Sequence, residues 1–219
     1  MYSVFLSKFD IGFPYVLERL KKVVKENSKV VIIPWSFPVE IDSLGLDEFF
    51  SGKRKNSYVE NLIKLGINEN NVIILNCYRD STNYMKDKIK EADILVLPGG
   101  NPEMFYNKVI SSNILDDIRN FNKIIIGASA GTELQLKEYF ITAKNNYYKK
   151  FSWYKGFNVI DNQFYIDVHT SNNYRYLNKL RKVAKETNRK VYAIYDDGAI
   201  IYNRQNKQME LFGNIRIFN

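Results

Sequence analysis

The chain has 219 residues, 45% hydrophobic and 26% charged, with one cysteine and a formal net charge of +8. That length and composition suit one sizeable core and exclude a disordered, disulfide-built or membrane-spanning chain. The apolar stretch at the N-terminus is short, lacks a basic start and meets charge at Lys8, so it does not read as a secretion signal and the cytoplasm is expected.

In chain order, apolar residues at helical spacing (Val16, Leu17, Leu20, Val23, Val24) predict a helix over Phe13 to Glu26. Val30 to Pro34 reads as a strand, Tyr58 to Leu65 as a helix and Val72 to Leu75 as a strand. Cys77 extends that strand pattern and is expected to be a buried small apolar residue. Thr82 to Glu91 predicts a helix, and Ile94 to Leu97 a buried strand ending at Pro98-Gly99-Gly100. Two helical segments, Pro102 to Lys108 and Ile114 to Phe121, lead into the strand Ile124 to Ile126. Glu138 to Val168 is aromatic and reads as short strands and loops. Tyr174 to Glu186 returns to a helix, Val191 to Ile194 to a strand, and Ala199–Tyr202 with Met209–Phe212 to a closing hairpin. Continuous apolar strands separated by helices predict a doubly wound, mostly parallel α/β sheet with helices on both faces, in one domain spanning residues 1–219. Ligands of such a sheet bind beyond the carboxyl ends of the strands.

The positive charge could attract nucleic acid. The basic residues, however, are mostly lysines spread along helices, as at Lys21, Lys22 and Lys137, so no nucleic-acid partner is expected. The segment Tyr147 to Tyr154 mixes aromatic residues with cations. It admits base stacking, a flap over a cleft, or ordinary strand-edge packing, of which the last fits an aromatic strand best.

Gly127-Ala128-Ser129-Ala130-Gly131 carries the chemistry. It is Gly-x-Ser-x-Gly between an apolar strand and a helix expected near Thr132, the pattern of a nucleophile elbow. Such a turn lifts the serine hydroxyl above the sheet and aims the next amides, beginning with Ala130, at a developing oxyanion. A serine hydroxyl needs a base, and His169 is the one histidine in the chain. A carboxylate must then orient the ring. Asp196-Asp197-Gly198 follows a strand and is either that carboxylate or a plain Asp-Gly turn. Asp167, two residues before His169 on the same strand face, and Glu133 compete for the role. The loop Leu97-Pro98-Gly99-Gly100-Asn101-Pro102 lacks the lysine and hydroxyl of a phosphate loop and reads as the second half of an oxyanion hole. No metal or cofactor is implied.

These four motifs, in this order and spacing, resemble the serine-peptidase family of dipeptidase E (aspartyl dipeptidase) and cyanophycinase. The resemblance runs from about Lys29 to Tyr202. It implies a fold like the class I glutamine amidotransferases and hydrolysis of small peptides through a Ser-His-carboxylate triad and an acyl-enzyme. By position it makes Ser129 the nucleophile, His169 the base and Asp197 the orienting carboxylate. Gly99, Gly100 and Ala130 become the oxyanion donors, and Asn101 a substrate contact. The family usually has glutamate where Asp197 stands. Aspartate is one methylene shorter, so the backbone must come closer or Asp196 or Asp167 must take the role. Recognition of an acidic N-terminal residue, made in dipeptidase E by an arginine beyond the histidine, would fall to Arg175, with Arg181, Tyr176 and Lys179 nearby. The resemblance is also compatible with a homodimer. An esterase or amidase on another small substrate, or a binding protein of the same fold, are the alternatives. Amidotransferase chemistry is disfavoured because the elbow holds serine.

Overall fold

The structure, a computed structural model, describes every residue except 39, 144–147 and 162. Its strands are β1 (Tyr2–Leu6), β2 (Val30–Ile32), β3 (Val72–Ile74), β4 (Ile94–Leu97), β5 (Ile124–Ala128), β6 (Glu138–Ile141), β7 (Ser152–Lys155), β8 (Phe164–Val168), β9 (Lys190–Asn203) and β10 (Met209–Phe218). Eight of them form one sheet in the order β10-β9-β1-β5-β4-β2-β3, with β8 paired to β9. The run β1, β5, β4, β2, β3 is parallel throughout, while β9 and β10 add an antiparallel edge.

The parallel strands are buried on both faces, which explains their unbroken apolar runs. Val31, Leu95, Leu97 and Ile125 point to one side, where α4 (Thr82–Glu91), α5 (Pro102–Ser111) and α6 (Leu115–Arg119) supply Met85, Ile89, Phe105, Val109 and Ile118. Val30, Ile32, Ile94, Val96 and Ile126 point to the other. There α1 (Phe9–Lys21) and α3 (Gly52–Lys64) cover them with Phe13, Val16, Leu20 and Leu62. A third apolar cluster docks α8 (Tyr174–Thr187) on β8 and β9 through Leu177, Leu180, Val183, Tyr165, Val191 and Ala193.

Several elements differ from the sequence pattern. The strand β1 was not expected, yet it lies at the centre of the sheet between β5 and β9. It is five residues long with polar Ser3 as its second residue, so pairing on both sides makes the strand rather than any strong local signal. Helix α1 starts at Phe9 instead of Phe13 because Gly12 N–H already closes a turn on Lys8 O (2.9 Å), ahead of Pro14. The short helix α2 (Ser43–Phe49) was also unforeseen. Cys77 lies beyond β3 in a turn and is only partly buried. Burial still pushes its thiol up to about 11.

The largest difference lies at Asp196-Asp197-Gly198. The closing hairpin forms, Ala199–Tyr202 pairing with Met209–Phe212, but there is no turn at Asp-Gly, and the hairpin's first strand is one with Val191–Ile194 in β9, which runs unbroken for 14 residues. Its first half pairs with β8, from Phe164↔Lys190 to Val168↔Ile194. Its second half pairs with β1 on the same side, from Leu6↔Ala199 to Tyr2↔Asn203. The carboxyl ends of β1 and β8 therefore meet head-on against the middle of β9. Cross-strand pairing overrides the local turn preference.

At the far side of β1, β5 turns sharply through Ser129 into a single turn of helix, α7 (Ala130–Glu133). Fully buried Thr132 ties this turn to β1. Its Oγ1 accepts from Leu6 N–H (3.0 Å) and lies 2.8 Å from Leu6 O and 2.9 Å from Gly127 O, to either of which its one proton can be given. Thr132→Val keeps the shape but orphans a buried amide, and is expected to destabilise the fold by about 1–3 kcal/mol. Denaturant unfolding of the variant measures this.

Candidate active site

Ser129 sits at φ 49° and ψ −115°, a strained conformation for a residue with a side chain. Its neighbours make the turn possible. A Cβ on Gly127 would overlap the Gly131 carbonyl, and one on Gly131 would overlap the Leu97 carbonyl at the end of β4. The Ser129 amide donates to Leu6 O (2.9 Å), which fixes the turn on β1.

His169 follows β8 directly and also has a positive φ, 54°. Its backbone N–H donates to Ser7 Oγ (2.7 Å), just past the end of β1. Thus held, the ring places Nε2 at 2.9 Å from Ser129 Oγ and Nδ1 at 2.7 Å from Asp196 Oδ1. With the proton on Nδ1, Nε2 is free to accept the serine proton.

Asp196, not Asp197, is the carboxylate on the ring. The ladder between β9 and β10 pairs Gly198 with Gly213 and Ile194 with Ile215. Residues 195–197 therefore stand opposite Asn214 alone. This bulge lies where β1 and β8 leave β9 without a partner, and bulges re-aim side chains. Among the described residues the ring's carboxylate contact is made by Asp196, and no hydrogen bond or ion pair joins Asp197 to His169. Of the alternatives to a closer backbone at Asp197, the geometry selects Asp196 as the residue that takes the role.

Asp167 and Glu133 do not hold the ring either, because both ring nitrogens are taken. Buried Asp167 accepts from Tyr176 Oη (2.6 and 2.8 Å) and Thr170 Oγ1 (2.7 Å), bracing the chain around His169. Glu133 is buried in α7.

Three residues of the site carried no sequence signal. Ser7 Oγ lies 3.2 Å from both His169 Nδ1 and Asp196 Oδ1, donating to the latter. Lys8 Nζ pairs with Asp196 Oδ2 at 2.9 Å. Both follow β1, and only recognition of β1 as a central strand would have drawn attention to them. Burial alone would raise the Asp196 carboxyl, but hydrogen bonds from Lys8 and His169 outweigh it and hold the group below its ordinary range.

The third is Tyr58. Its hydroxyl accepts the Gly99 amide proton (3.3 Å), and burial pushes that phenol up to about 12. The Gly99 amide is thus already engaged, a correction to its expected place among oxyanion donors. Gly100 and Ala130 remain suited to that role. Gly100 has φ 147°, and a Cβ there would overlap the Ser36 carbonyl. Ala130 opens α7, where amides lack partners within the helix. Gly99 is close enough to the serine that an added Cβ would lie 3.0 Å from Ser129 Cβ.

Asn101 caps α5, its Oδ1 accepting from Met104 N–H (3.1 Å). It also lines a cavity of about 290 Å³ with Ser36, Phe49, Arg54, Gly100 and Tyr148. Arg175 lies in the first turn of α8 and lines a second cavity, about 580 Å³, with His169, Ser171, Tyr176 and Lys179. Arg181 instead lies over the Phe218 ring, 5.7 Å from its centroid, and lines a different cavity. In the segment predicted from Tyr147 to Tyr154, Tyr147 falls outside the described residues. Ser152 to Tyr154 belong to β7, which pairs with β6, and Trp153 packs on Phe140 and Tyr165. That is strand-edge packing.

A hydroxyl bonded to an imidazole that is in turn bonded to a carboxylate is arranged for proton transfer on nucleophilic attack. A fluorophosphonate should therefore label Ser129. Asp196→Asn should slow that labelling on the order of a hundredfold or more, and Asp197→Asn less than about threefold. Mass spectrometry of the labelled protein follows both.

No curated protein matches the chain by sequence. Among solved structures, a 1.5 Å crystal structure from Listeria monocytogenes EGD-e, provisionally named as a peptidase E, superposes with a TM-score of 0.68 at 19% identity. That match covers 97% of this chain and 98% of the other. A peptidase from an acI-B1 Actinobacterium gives the same TM-score at 14% identity, over 100% of this chain and 90% of its own. At such identities the likeness establishes the fold. The model of peptidase family S51 matches residues 13–210. The chain therefore belongs to peptidase family S51 and is a serine-type peptidase.

Proposed function

We propose that this peptidase is an exopeptidase of small peptides with an acidic N-terminal residue. The observation that carries the catalytic part is the unbroken chain from Ser129 Oγ through His169 to Asp196. Ser129 attacks the scissile carbonyl while its proton passes to Nε2 of His169. The oxyanion forms against the amides of Gly100 and Ala130. His169 then returns the proton to the departing amine, leaving an acyl-enzyme on Ser129. Water, deprotonated by the same nitrogen, releases the acid and restores the serine. Asp196 keeps the proton of the neutral ring on Nδ1 and offsets the charge of the imidazolium.

The substrate preference rests on the cavity beside His169. Arg175 and Lys179 both line it, and neither has an ion-pair partner among the described residues. Two cations without ion-pair partners in the cavity that His169 also lines suit a carboxylate on the peptide. A single cysteine suits the reducing cytoplasm, where we place the activity.

A panel of dipeptides with acidic and neutral N-terminal residues tests this reading. Ser129→Ala should abolish cleavage of every member. Arg175→Ala should lower kcat/KM on acidic members by about tenfold or more and on neutral ones by less than about threefold. Equal losses would remove the acidic preference, and cleavage that survives Ser129→Ala would remove the mechanism.

A further inference from the structure

Asp196 emerges from a bulge in mid-strand, and its side chain is 41% exposed. A half-exposed carboxylate with one hydrogen-bonded oxygen turns readily, and each turn takes Oδ1 off the ring. Here both oxygens are engaged. Oδ1 meets His169 Nδ1 and Ser7 Oγ, while Oδ2 meets Lys8 Nζ. Ser7 and Lys8 are adjacent in sequence, so the end of β1 grips the carboxylate from two directions.

We propose that Lys8 is a positioning residue, which locks the Asp196 carboxylate in the rotamer that keeps Oδ1 on His169. The inference rests on the reading of His169 as the base. It answers a difficulty of the shorter acid: aspartate reaches the ring from a bulge, where the backbone does little to restrain it, and a second ionic contact supplies the restraint. Lys8 contributes as a charge as well as a tether. It stands between Asp196 and Asp10 of α1, and its own ammonium is raised above its ordinary range, first by the Asp196 hydrogen bond. The other charged groups around His169 are Arg175 and Lys179 on α8, Asp167 behind it on β8, Glu133 in α7 and Asp197 beside Asp196. Of these, Asp167 is spent on Tyr176 and Thr170. Among the described residues, Lys8 alone forms an ion pair with the far oxygen of Asp196.

The pH dependence follows from the Asp196 carboxyl. A carboxyl held below its ordinary range contributes its bond at neutral pH and loses it as pH falls through the folded-state value. Removing Lys8 removes the first of the lowering causes, so the Asp196–His169 bond should break at a higher pH.

His169 is the only histidine, so nitrogen-15 NMR of the imidazole reports on this ring alone, its Nδ1 signal follows the Asp196 bond, and no substrate is needed. The experiment compares the unsubstituted chain with Lys8→Met and Lys8→Arg, Lys8 being half exposed and outside the core. Wild type should show a strongly hydrogen-bonded Nδ1 proton. In Lys8→Met that signal should broaden at neutral pH, and on acidification vanish at higher pH than in wild type. Lys8→Arg should restore both. On a cleaved peptide, kcat of Lys8→Met should fall on the order of tenfold with KM little changed, the worth of one charge-assisted hydrogen bond. An Nδ1 signal identical to wild type in Lys8→Met, over the whole pH range, overturns the proposal. A wild type that cleaves no peptide overturns the peptidase substrate reading instead, and the NMR comparison still decides the part played by Lys8.

Discussion

Two strands, β1 and β8, end nose to nose against the middle of β9, and the rest of the site depends on that meeting. A strand can pair with only one neighbour per side, so between Ile194 and Ala199 this edge of β9 has no ladder partner. The backbone bulges there and frees Asp196 to leave the sheet plane. The residues that follow the two ends, Ser7 and Lys8 after β1 and His169 after β8, converge on it. Ser129 arrives from β5, the neighbour of β1 on its other side. One gap in one sheet thus gathers four chain segments that lie far apart in sequence.

Strain is the second requirement. Ser129 and His169 both hold positive φ, and each is anchored through its amide to the end of β1, on Leu6 O and Ser7 Oγ. Strained residues persist only where their surroundings over-determine them. Here the surroundings are Thr132, buried and bonded across to Leu6, the close packing of Gly131 on Leu97, and Asp167 pinned by Tyr176 and Thr170. The site is half open to solvent, so its ionic contacts are individually modest and the geometry depends on this buried frame.

Much of this was legible in advance. Unbroken apolar runs at β2, β4 and β5 could serve only strands buried on two faces, and the spacing of Met85 and Ile89, or of Leu177, Leu180 and Val183, could serve only amphipathic helices. Ser129 was legible because a serine between two glycines at a strand-to-helix turn has few other uses, and His169 because the chain offers no second imidazole. The Asp196-Asp197 pair was legible as a carboxylate source, but not as a choice between its members. A turn and a bulge look alike in three residues, and they orient successive side chains differently.

What the sequence by itself determined was the set of periodicities and the chemical inventory: a doubly wound sheet, a serine on a tight turn, one base and a nearby acid. Those are local properties, readable from neighbours along the chain. What only the tertiary structure decided was which groups touch. The placement of β1 at the centre of the sheet, the continuity of β9, the choice of Asp196 over Asp197, the engagement of the Gly99 amide by Tyr58 and the grip of Lys8 on Asp196 all arise from pairing between distant segments. Short-range preference is weak compared with a full set of cross-strand hydrogen bonds. So Asp-Gly became part of a strand, and a short apolar run at the N-terminus became the strand on which the site is built.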